Sequence, residues 1–181
     1  MTTRNRTTHI GTAAIGFGLI GAFIYLVMIN VTLAQIEAVS GYIPFDMRPF
    51  GYGPIDAAHL LDGLGPDGRH YYLTRQIPLD TIYPAVLAAT LIATIIWLGR
   101  RIANDGLIRF GIILSVACAL FDYAENLGIV AMIWGWPDAS TTLVFATSTA
   151  TVLKSIATTM AVCVVIAIGG IAGLSRKPKF L

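Results

Sequence analysis

The stretch LIRFGIILSVACALFDYAENLGIVAMIW, residues 107–134, decides the fold of this chain. It is long enough to cross a bilayer as a helix, since a span needs roughly 20 apolar residues for ~30 Å of hydrocarbon. Its middle nevertheless carries Asp122, Glu125 and Asn126. A carboxylate at bilayer depth costs about 3 kcal/mol or more, so it persists only with a partner or a polar cavity. Because spacings of three and four share a helical face, the stretch predicts a membrane helix carrying a polar site.

The composition of the whole chain agrees with a membrane protein. Of its 181 residues, 56% are hydrophobic and only 12% are charged, whereas soluble domains carry roughly a quarter of their residues as charges. Lys and Arg form no stripe away from the termini and one short loop, so we expect no nucleic-acid partner. Cys118 and Cys163 lie in apolar stretches without CxxC spacing, which favours two small buried hydrophobic residues over a disulfide framework.

Four segments qualify as spans in one transmembrane domain covering residues 1–181: 10–36, 80–98, 107–134 and 142–174. The apolar run of the first span is too long for a cleavable signal peptide, so we expect that span to be retained. The fold class predicted is an all-α integral membrane protein with four transmembrane helices. The positive-inside rule places both termini in the cytoplasm of a bacterium, in a multi-pass protein of the inner membrane. The basic residues that fall on this side are Arg4, Arg6, Arg100, Arg101, Arg109, Arg176, Lys177 and Lys179.

Residues 37–79 are predicted to form a partly helical outer cap rather than a linker. Pro54 can open a short helix that runs to Leu64, with Gly65 as its stop and Pro66 opening a second helix. The apolar stripe of the first helix is predicted to be Ala58, Leu61 and Leu64, and its polar face Asp56, His59 and Asp62.

A cation on span four matches the acids of span three in depth. With a rise of ~1.5 Å per residue, Asp122 lies close to the midplane and Lys154 level with the two acids. We therefore predict an ion pair of Lys154 with Glu125 or Asp122. In a catalytic site Asp122 and Glu125 would be the acid–base pair, Lys154 the charge partner and Asn126 the orienting group. The alternative is purely structural, with the pair fixing the register of the helices.

A second group of candidate ligand-binding residues falls in LGPDGRHYYLTRQIPLDTIYP, residues 64–84. Arg69 and Arg75 would hold a lipid headgroup or a carboxylate, because Arg forms bidentate bonds to anions. They would equally well pair with Asp67 and Asp80 to anchor the cap. The other candidates of this stretch are His70, Tyr72, Asp80 and Tyr83.

The chain offers little support for a metal or a cofactor. Asp56 and His59 stand three residues apart and could ligate a metal with Asp62 or His70, but a solvated face of an interfacial helix explains them better. His9, His59 and His70 all lie outside the spans, which excludes paired intramembrane haem ligation. GxxxxGK[ST], HExxH and GxSxG patterns are absent. We expect no metal and no cofactor.

Three short motifs carry a resemblance to known proteins: LGPDGRHYY at 64–72, DTIYP at 80–84 and FDYAEN at 121–126. With these motifs the chain resembles a group of uncharacterised bacterial four-span inner-membrane proteins, from span one through span three. The resemblance implies no activity. Four spans with acids in the bundle are also similar in architecture to sterol-isomerase-type membrane enzymes, without a shared motif, so nothing is carried over from them.

These features predict a small membrane protein that binds or processes a lipid or isoprenoid-like hydrophobic ligand, whether or not it is an enzyme. Its partners would be membrane lipid and either another membrane protein or further copies of itself. The first alternative is a non-enzymatic accessory or assembly subunit of a membrane complex, with a solid core. The second is a proton-coupled permease.

Overall fold

The described part of the chain is helical throughout, without a strand. The computed structural model describes residues 3–174, with side chains from His9 onward. Four stretches are long and apolar enough to cross a membrane, which confirms the predicted number: His9–Ser40, Pro54–Gly99, Asp105–Trp134 and Thr141–Leu174. The side chains of Arg4 and Arg6, and the residues Arg176, Lys177 and Lys179, lie outside the described residues.

The described residues form six α-helices, two short π-helical turns and one 3-10 turn. In chain order they are α1 (Thr3–Val27), a π-helical turn (Met28–Thr32), α2 (Leu33–Ser40), a 3-10 turn (Phe45–Met47), α3 (Pro54–Tyr71), a second π-helical turn (Tyr72–Gln76), α4 (Ile77–Gly99), α5 (Asp105–Trp134) and α6 (Thr141–Leu174). Because the π-helical turns continue the helices on both sides, α1 and α2 form one rod, and α3 leads directly into α4.

Local capping explains where the long helices begin and end. The side-chain oxygen of Asn104 accepts the Leu107 N–H at 3.0 Å and so satisfies a free donor at the start of α5. Ser140 does the same for the Leu143 N–H at 3.2 Å, at the start of α6. Gly41, with φ +75°, ends α2 in the left-handed conformation that glycine tolerates best.

The predicted break at Gly65 and Pro66 is present, and the helix that contains residues 80–98 begins well before Asp80. Gly65 has φ +60° inside α3, and a helix resumes at Pro66. This helix then continues to Gly99 instead of beginning anew at Asp80. Pro78 lacks an N–H and crowds the carbonyl group one turn before it. The wider π-helical turn at Tyr72–Gln76 gives that carbonyl room, so the helix is not interrupted.

The buried stripe of α3 is wider than the predicted one. Leu61 and Leu64 are buried as expected, but their companions are Ala57 and Leu60 rather than Ala58. The reason is a close approach of α3 to the end of α2: a Cβ on Gly63 would lie only 2.5 Å from the Ser40 carbonyl oxygen. Gly63 is one turn from Leu60, so this contact turns Leu60 inward. The predicted polar face is exposed and consists of Asp56, His59 and Asp62.

The bundle has two apolar cores separated by a polar layer. The larger core joins α2, α3 and the adjacent ends of α5 and α6, and includes the fully buried Phe45, Leu60 and Met132. The smaller core lies at the opposite end, around Ile95 and Ile168. Buried polar residues of α4, α5 and α6 occupy the region between them. In sequence order α1 packs on α4, α4 on α5 and α5 on α6, and α6 also reaches α4.

Large apolar side chains cover the outside of the helices. Examples are Leu19 and Phe23 on α1, Leu127 on α5 and Ile166 on α6, each about two-thirds exposed or more. A soluble protein rarely exposes contiguous apolar surface of this extent. The outer surface is therefore the kind that a lipid bilayer covers, which agrees with the four candidate spans.

Candidate functional site

A buried ion-pair cluster joins α5 to α6. Lys154 Nζ lies 3.4 Å from Asp122 Oδ1 and contacts Glu125 Oε2 more closely. Glu125 is 0% exposed, and its Oε1 accepts a hydrogen bond from Thr151 Oγ1 at 2.7 Å. The pairing predicted from depth is therefore present, and Lys154 bridges both acids. We call Asp122, Glu125, Thr151 and Lys154 the lysine cluster.

The lysine cluster is compact because α5 and α6 approach closely beside it. Gly128, one turn after Glu125, lies directly against Thr147, one turn before Thr151. A Cβ added to Gly128 would overlap the Thr147 side chain. Small and hydroxyl-bearing residues at such contacts let membrane helices come together and form hydrogen bonds. The spacing of the two helices is thus set by the same small residues that flank the ion pairs.

A second polar group consists of Asp46 and Asp80, which we call the acid pair. The Asp80 carboxyl group lies within hydrogen-bonding range of the Asp46 carboxyl group. The Tyr72 hydroxyl donates to Asp46 Oδ2, and Gln76 Nε2 donates to Asp46 Oδ1 at 3.4 Å. The Thr32 hydroxyl in turn donates to Gln76 Oε1, so the two π-helical turns are joined to each other and to Asp46.

Asp80 has fewer hydrogen-bond donors around its carboxyl group than Asp46 has. Asp80 is only 2% exposed, and its Oδ2 has no hydrogen-bond partner within the described part of the chain. A buried acceptor without a donor costs about 1–3 kcal/mol, and more when it is charged. Its polar neighbour is another carboxyl group, which can donate to Asp80 only when Asp46 itself carries a proton. The acid pair is therefore short of one donor.

The loop between α2 and α3 brings Asp46 to this position. Phe45 is fully buried, and its ring lies 4.6 Å from the Tyr52 ring, centroid to centroid. The Tyr52 N–H donates to Ser148 Oγ of α6 at 2.8 Å, which docks the end of the loop. Burial raises the pKa of Tyr52 far above its ordinary value, so its phenol stays neutral. An ion pair of 3.3 Å between Arg48 and Asp56 ties the loop to α3.

A cavity of about 470 Å³ connects the acid pair to the lysine cluster. It lies between α1 and α6, which share few contacts, with α4 and α5 behind it. Its wall combines apolar side chains with charged and hydroxyl-bearing ones. The lining residues are Tyr25, Met28, Ile29, Leu33, Asp46, Met47, Pro49, Asp80, Tyr83, Leu87, Asp122, Lys154, Ser155, Thr158 and Thr159. Glu125 is not among them and sits behind Lys154.

The charges around this cavity do not balance. Among the described residues that line it, the carboxyl groups of Asp46, Asp80 and Asp122 face a single cation, Lys154. Glu125, which pairs with the same lysine, adds a fourth carboxyl group. Like charges at close range in a low-dielectric site disfavour one another. Protons or a positively charged ligand group must therefore make up the difference.

Three of the predicted ligand-binding residues lie away from the cavity. Arg69 Nη1 donates to the Leu61 carbonyl group at 2.7 Å, across the break at Gly65. His70 and Arg75 are exposed and do not line the cavity. Within the described residues neither arginine forms an ion pair with Asp67 or Asp80, so the anchoring pairs that were the alternative are absent.

The other predicted residues come together around the cavity. Asp80 and Tyr83 line it, and the Tyr83 ring stacks on Tyr25 with centroids 5.8 Å apart. Tyr72 lies beside it, through its bond to Asp46. Asn126 Nδ2 donates to the Asp80 carbonyl group at 2.8 Å. Asn126 thus ties α5 to α4 and holds the backbone of Asp80, rather than orienting the carboxyl groups of its own helix.

The residues considered for a metal have other partners. Asp56 Oδ2 accepts the Gly53 N–H at 2.9 Å, which caps α3, and the His59 ring stacks on Tyr42 with centroids 5.3 Å apart. Within the described residues no three His, Cys, Asp or Glu side chains are grouped so that they could hold a metal ion.

Sequence reasoning did not place Asp46 or Gln76 at the site. Asp46 sits in GYIPFDMRPFGYGP, where aromatic and turn residues follow no helical or strand period, so nothing indicates its direction. Gln76 lies in a π-helical turn, which shifts the face that a regular helical count assigns to it. The one available signal was the closeness of Asp46 to two prolines, which predicts a rigid turn.

No protein-family model, curated protein or solved structure matches the chain. The class of protein therefore rests on the fold and the site. The chain is an all-α four-helix protein whose helices could cross a membrane, with a polar cavity between them.

Proposed function

We propose that the chain is a multi-pass protein of the bacterial inner membrane that binds or processes a lipid or isoprenoid-like ligand in the cavity between α1 and α6. The observation that carries this proposal is the mixed character of the cavity wall. Met28, Ile29 and Leu87 offer apolar surface for a hydrocarbon chain, and the carboxyl groups of Asp80 and Asp122 line the same cavity. Ligand sites in proteins typically have volumes of roughly 300–1,000 Å³ and few polar groups, and the cavity of about 470 Å³ is of this kind.

The position of the cavity favours a ligand that enters from the bilayer. Helices α1 and α6 flank it without packing firmly on each other. Tyr25, at its edge, is 47% exposed. A hydrocarbon chain can therefore pass between these helices while its head group reaches the carboxyl groups. An accessory subunit, the main alternative, would be expected to have a solid core at this depth.

The side chains take different parts in the proposed site. Asp122 faces the cavity and can exchange a proton with a ligand. Lys154 forms an ion pair with Asp122 and so stabilises its carboxylate form. Glu125 is the second carboxyl group of the acid–base pair and acts through Lys154, since it does not face the cavity. Asn126 fixes the backbone at Asp80. Arg69, His70 and Arg75 have no part in this site.

The proposed orientation places both termini in the cytoplasm and α3 at the outer surface. Arg100, Arg101 and Arg109 lie in and beside the connection from α4 to α5, and the Arg101 guanidinium lies 5.5 Å from the centre of the Trp97 ring. Membrane-impermeant maleimide on intact cells tests this. Asp62→Cys should react from outside and Asn104→Cys only after permeabilisation; the reverse labelling would overturn the orientation.

The ligand proposal is tested by closing the cavity. The full chain is purified in a mild detergent and its co-purifying lipids are identified by native mass spectrometry. Leu87→Trp, which fills the cavity, should lose the bound lipid. Leu120→Trp is the matched control, because Leu120 is 62% exposed on the outer face of α5. Equal lipid in both variants and the unchanged chain would overturn the proposal.

A further inference from the structure

The donor that the acid pair lacks identifies the head group of the ligand. Asp80 lines the cavity, and its Oδ2 is buried without a hydrogen-bond partner among the described residues. Asp46 already accepts bonds from Tyr72 and Gln76. The free position is therefore on Asp80, and a ligand that occupies the cavity must bring an N–H or O–H group to it.

The charge around that position selects a cation over a neutral donor. Within the described lining of the cavity, Lys154 is the only cation, and its ammonium group is already held by Asp122 and Glu125. It has no charge left for the acid pair. Two carboxylates at hydrogen-bonding distance repel each other unless one takes up a proton or a positive charge lies beside them. A hydroxyl group would fill the free position without balancing the charge.

Aromatic rings near the acid pair suit the same kind of group. Tyr83 lies one turn after Asp80 on α4 and stacks on Tyr25 of α1, and both rings line the cavity. The face of an aromatic ring attracts an ammonium group. The rod formed by α1 and α2 adds apolar side chains to the wall, namely Met28, Ile29 and Leu33.

We propose that the cavity binds an amphipathic amine, whose protonated primary amino group donates to Asp80 Oδ2 beside Asp46 and whose hydrocarbon chain lies against α1. This inference rests on the proposed function, because it names the head group of the same ligand. An aminophospholipid and a free long-chain amine share the chemistry and are separated by the experiment below.

The test compares two probes of equal chain length on the purified full chain in nonionic detergent. Dodecylamine carries the ammonium group, and dodecanol is its neutral counterpart. We expect dodecylamine to bind at least about ten-fold more tightly, since a hydrogen bond to a charged group is worth roughly one to two decades of affinity. Asp80→Asn should remove this preference and change the affinity for dodecanol by no more than about two-fold. Asp62→Asn, an exposed acid on α3, is the matched control and should change neither.

A second variant guards against a folding defect in Asp80→Asn. Tyr25→Leu changes a half-exposed side chain and should weaken the binding of dodecylamine by about three-fold, without affecting the binding of dodecanol.

Competition with lipid in nanodiscs then distinguishes an aminophospholipid from a free long-chain amine. Phosphatidylethanolamine that displaces dodecylamine identifies the lipid head group, and failure to displace it identifies a free amine. Equal displacement by phosphatidylglycerol would overturn recognition of the ammonium group.

The outcomes for the two proposals are distinct. Equal binding of dodecylamine and dodecanol, with Leu87→Trp abolishing both, would overturn the amine and retain a hydrophobic ligand. Binding of both probes that Leu87→Trp leaves unchanged would overturn the proposed function itself.

Discussion

The lysine cluster and the acid pair are both buried in the polar layer, yet their charges are handled in opposite ways. In the lysine cluster, one cation bridges two carboxylates: Lys154 pairs with Asp122 and with Glu125 Oε2, and Thr151 donates a hydrogen bond to Glu125 Oε1. In the acid pair, two carboxyl groups face each other and Asp80 Oδ2 lacks a donor among the described residues. A satisfied buried cluster holds helices together, whereas an unsatisfied one costs stability and is retained for another reason. We propose on this contrast that the lysine cluster also holds α5 and α6 together, whereas the acid pair is kept for binding the ligand.

The largest expected effect comes from removing the cation of the lysine cluster. Lys154→Met leaves Asp122 and Glu125 buried without a partner, which should lower the free energy of unfolding by about 3–5 kcal/mol. Denaturant titration of the purified chain in detergent micelles measures this loss. Adding Asp122→Asn and Glu125→Gln to the same variant should restore most of the stability, because no unpaired charge remains. If Lys154→Met alone were as stable as the unchanged chain, the cluster would not be structural.

The next effect tests the close contact that keeps the lysine cluster compact. Gly128→Ala places a Cβ in the Thr147 side chain, so α5 and α6 must separate. Overpacking of this kind costs about 1–3 kcal/mol in the free energy of unfolding. Combining it with Thr147→Gly should recover part of the loss. Unfolding curves for the two single variants and the double variant decide it: strictly additive losses would contradict a direct contact.

A smaller effect is expected in the loop that carries Asp46. Gly51 has φ +86°, and a Cβ there would lie 2.7 Å from Ser148 Oγ. Gly51→Ala should therefore cost about 2 kcal/mol, from backbone strain and from loss of the dock on α6. Gly41→Ala is the matched control, because Gly41 has φ +75° but nothing within 4 Å of its Cβ position. Equal melting temperatures for the two variants would show that docking of the loop adds nothing.

The smallest effect has the opposite sign and tests the acid pair directly. Asp80→Asn removes one of two facing carboxyl groups and supplies an N–H donor for Asp46. We expect the free energy of unfolding to stay equal or to rise by up to about 1 kcal/mol. The bond from Asn126 should persist, since it goes to the Asp80 backbone. A loss as large as that of Lys154→Met would erase the difference between the two groups.

Helical periodicity and residue depth were enough to predict the lysine cluster but not the acid pair. Asp122, Glu125 and Lys154 lie on long regular helices, where a constant rise per residue gives relative depth before any contact is known. The break at Gly65 and Pro66 also follows from local backbone preferences alone. Such signals do not depend on how distant parts of the chain pack.

The acid pair depends on contacts that no local pattern encodes. Asp46 reaches Asp80 because Phe45 is buried and Tyr52 docks on α6, which are long-range events in a loop. The predicted roles of Arg69 and Arg75 rested on residue type, and residue type does not show that Arg69 caps a carbonyl group across a kink.

The two π-helical turns determine how α2 is rotated relative to α1, and α4 relative to α3. Each residue advances a helix by about 100°, so one extra residue in a turn rotates everything beyond it by that amount. Met28–Thr32 and Tyr72–Gln76 meet through the bond from Thr32 to Gln76. Deleting a residue from either turn would swing Thr32 and Gln76 away from each other, and a deletion in Tyr72–Gln76 would also rotate Asp80 relative to α3. The two segments are therefore constrained to change length together during evolution, although forty-odd residues separate them.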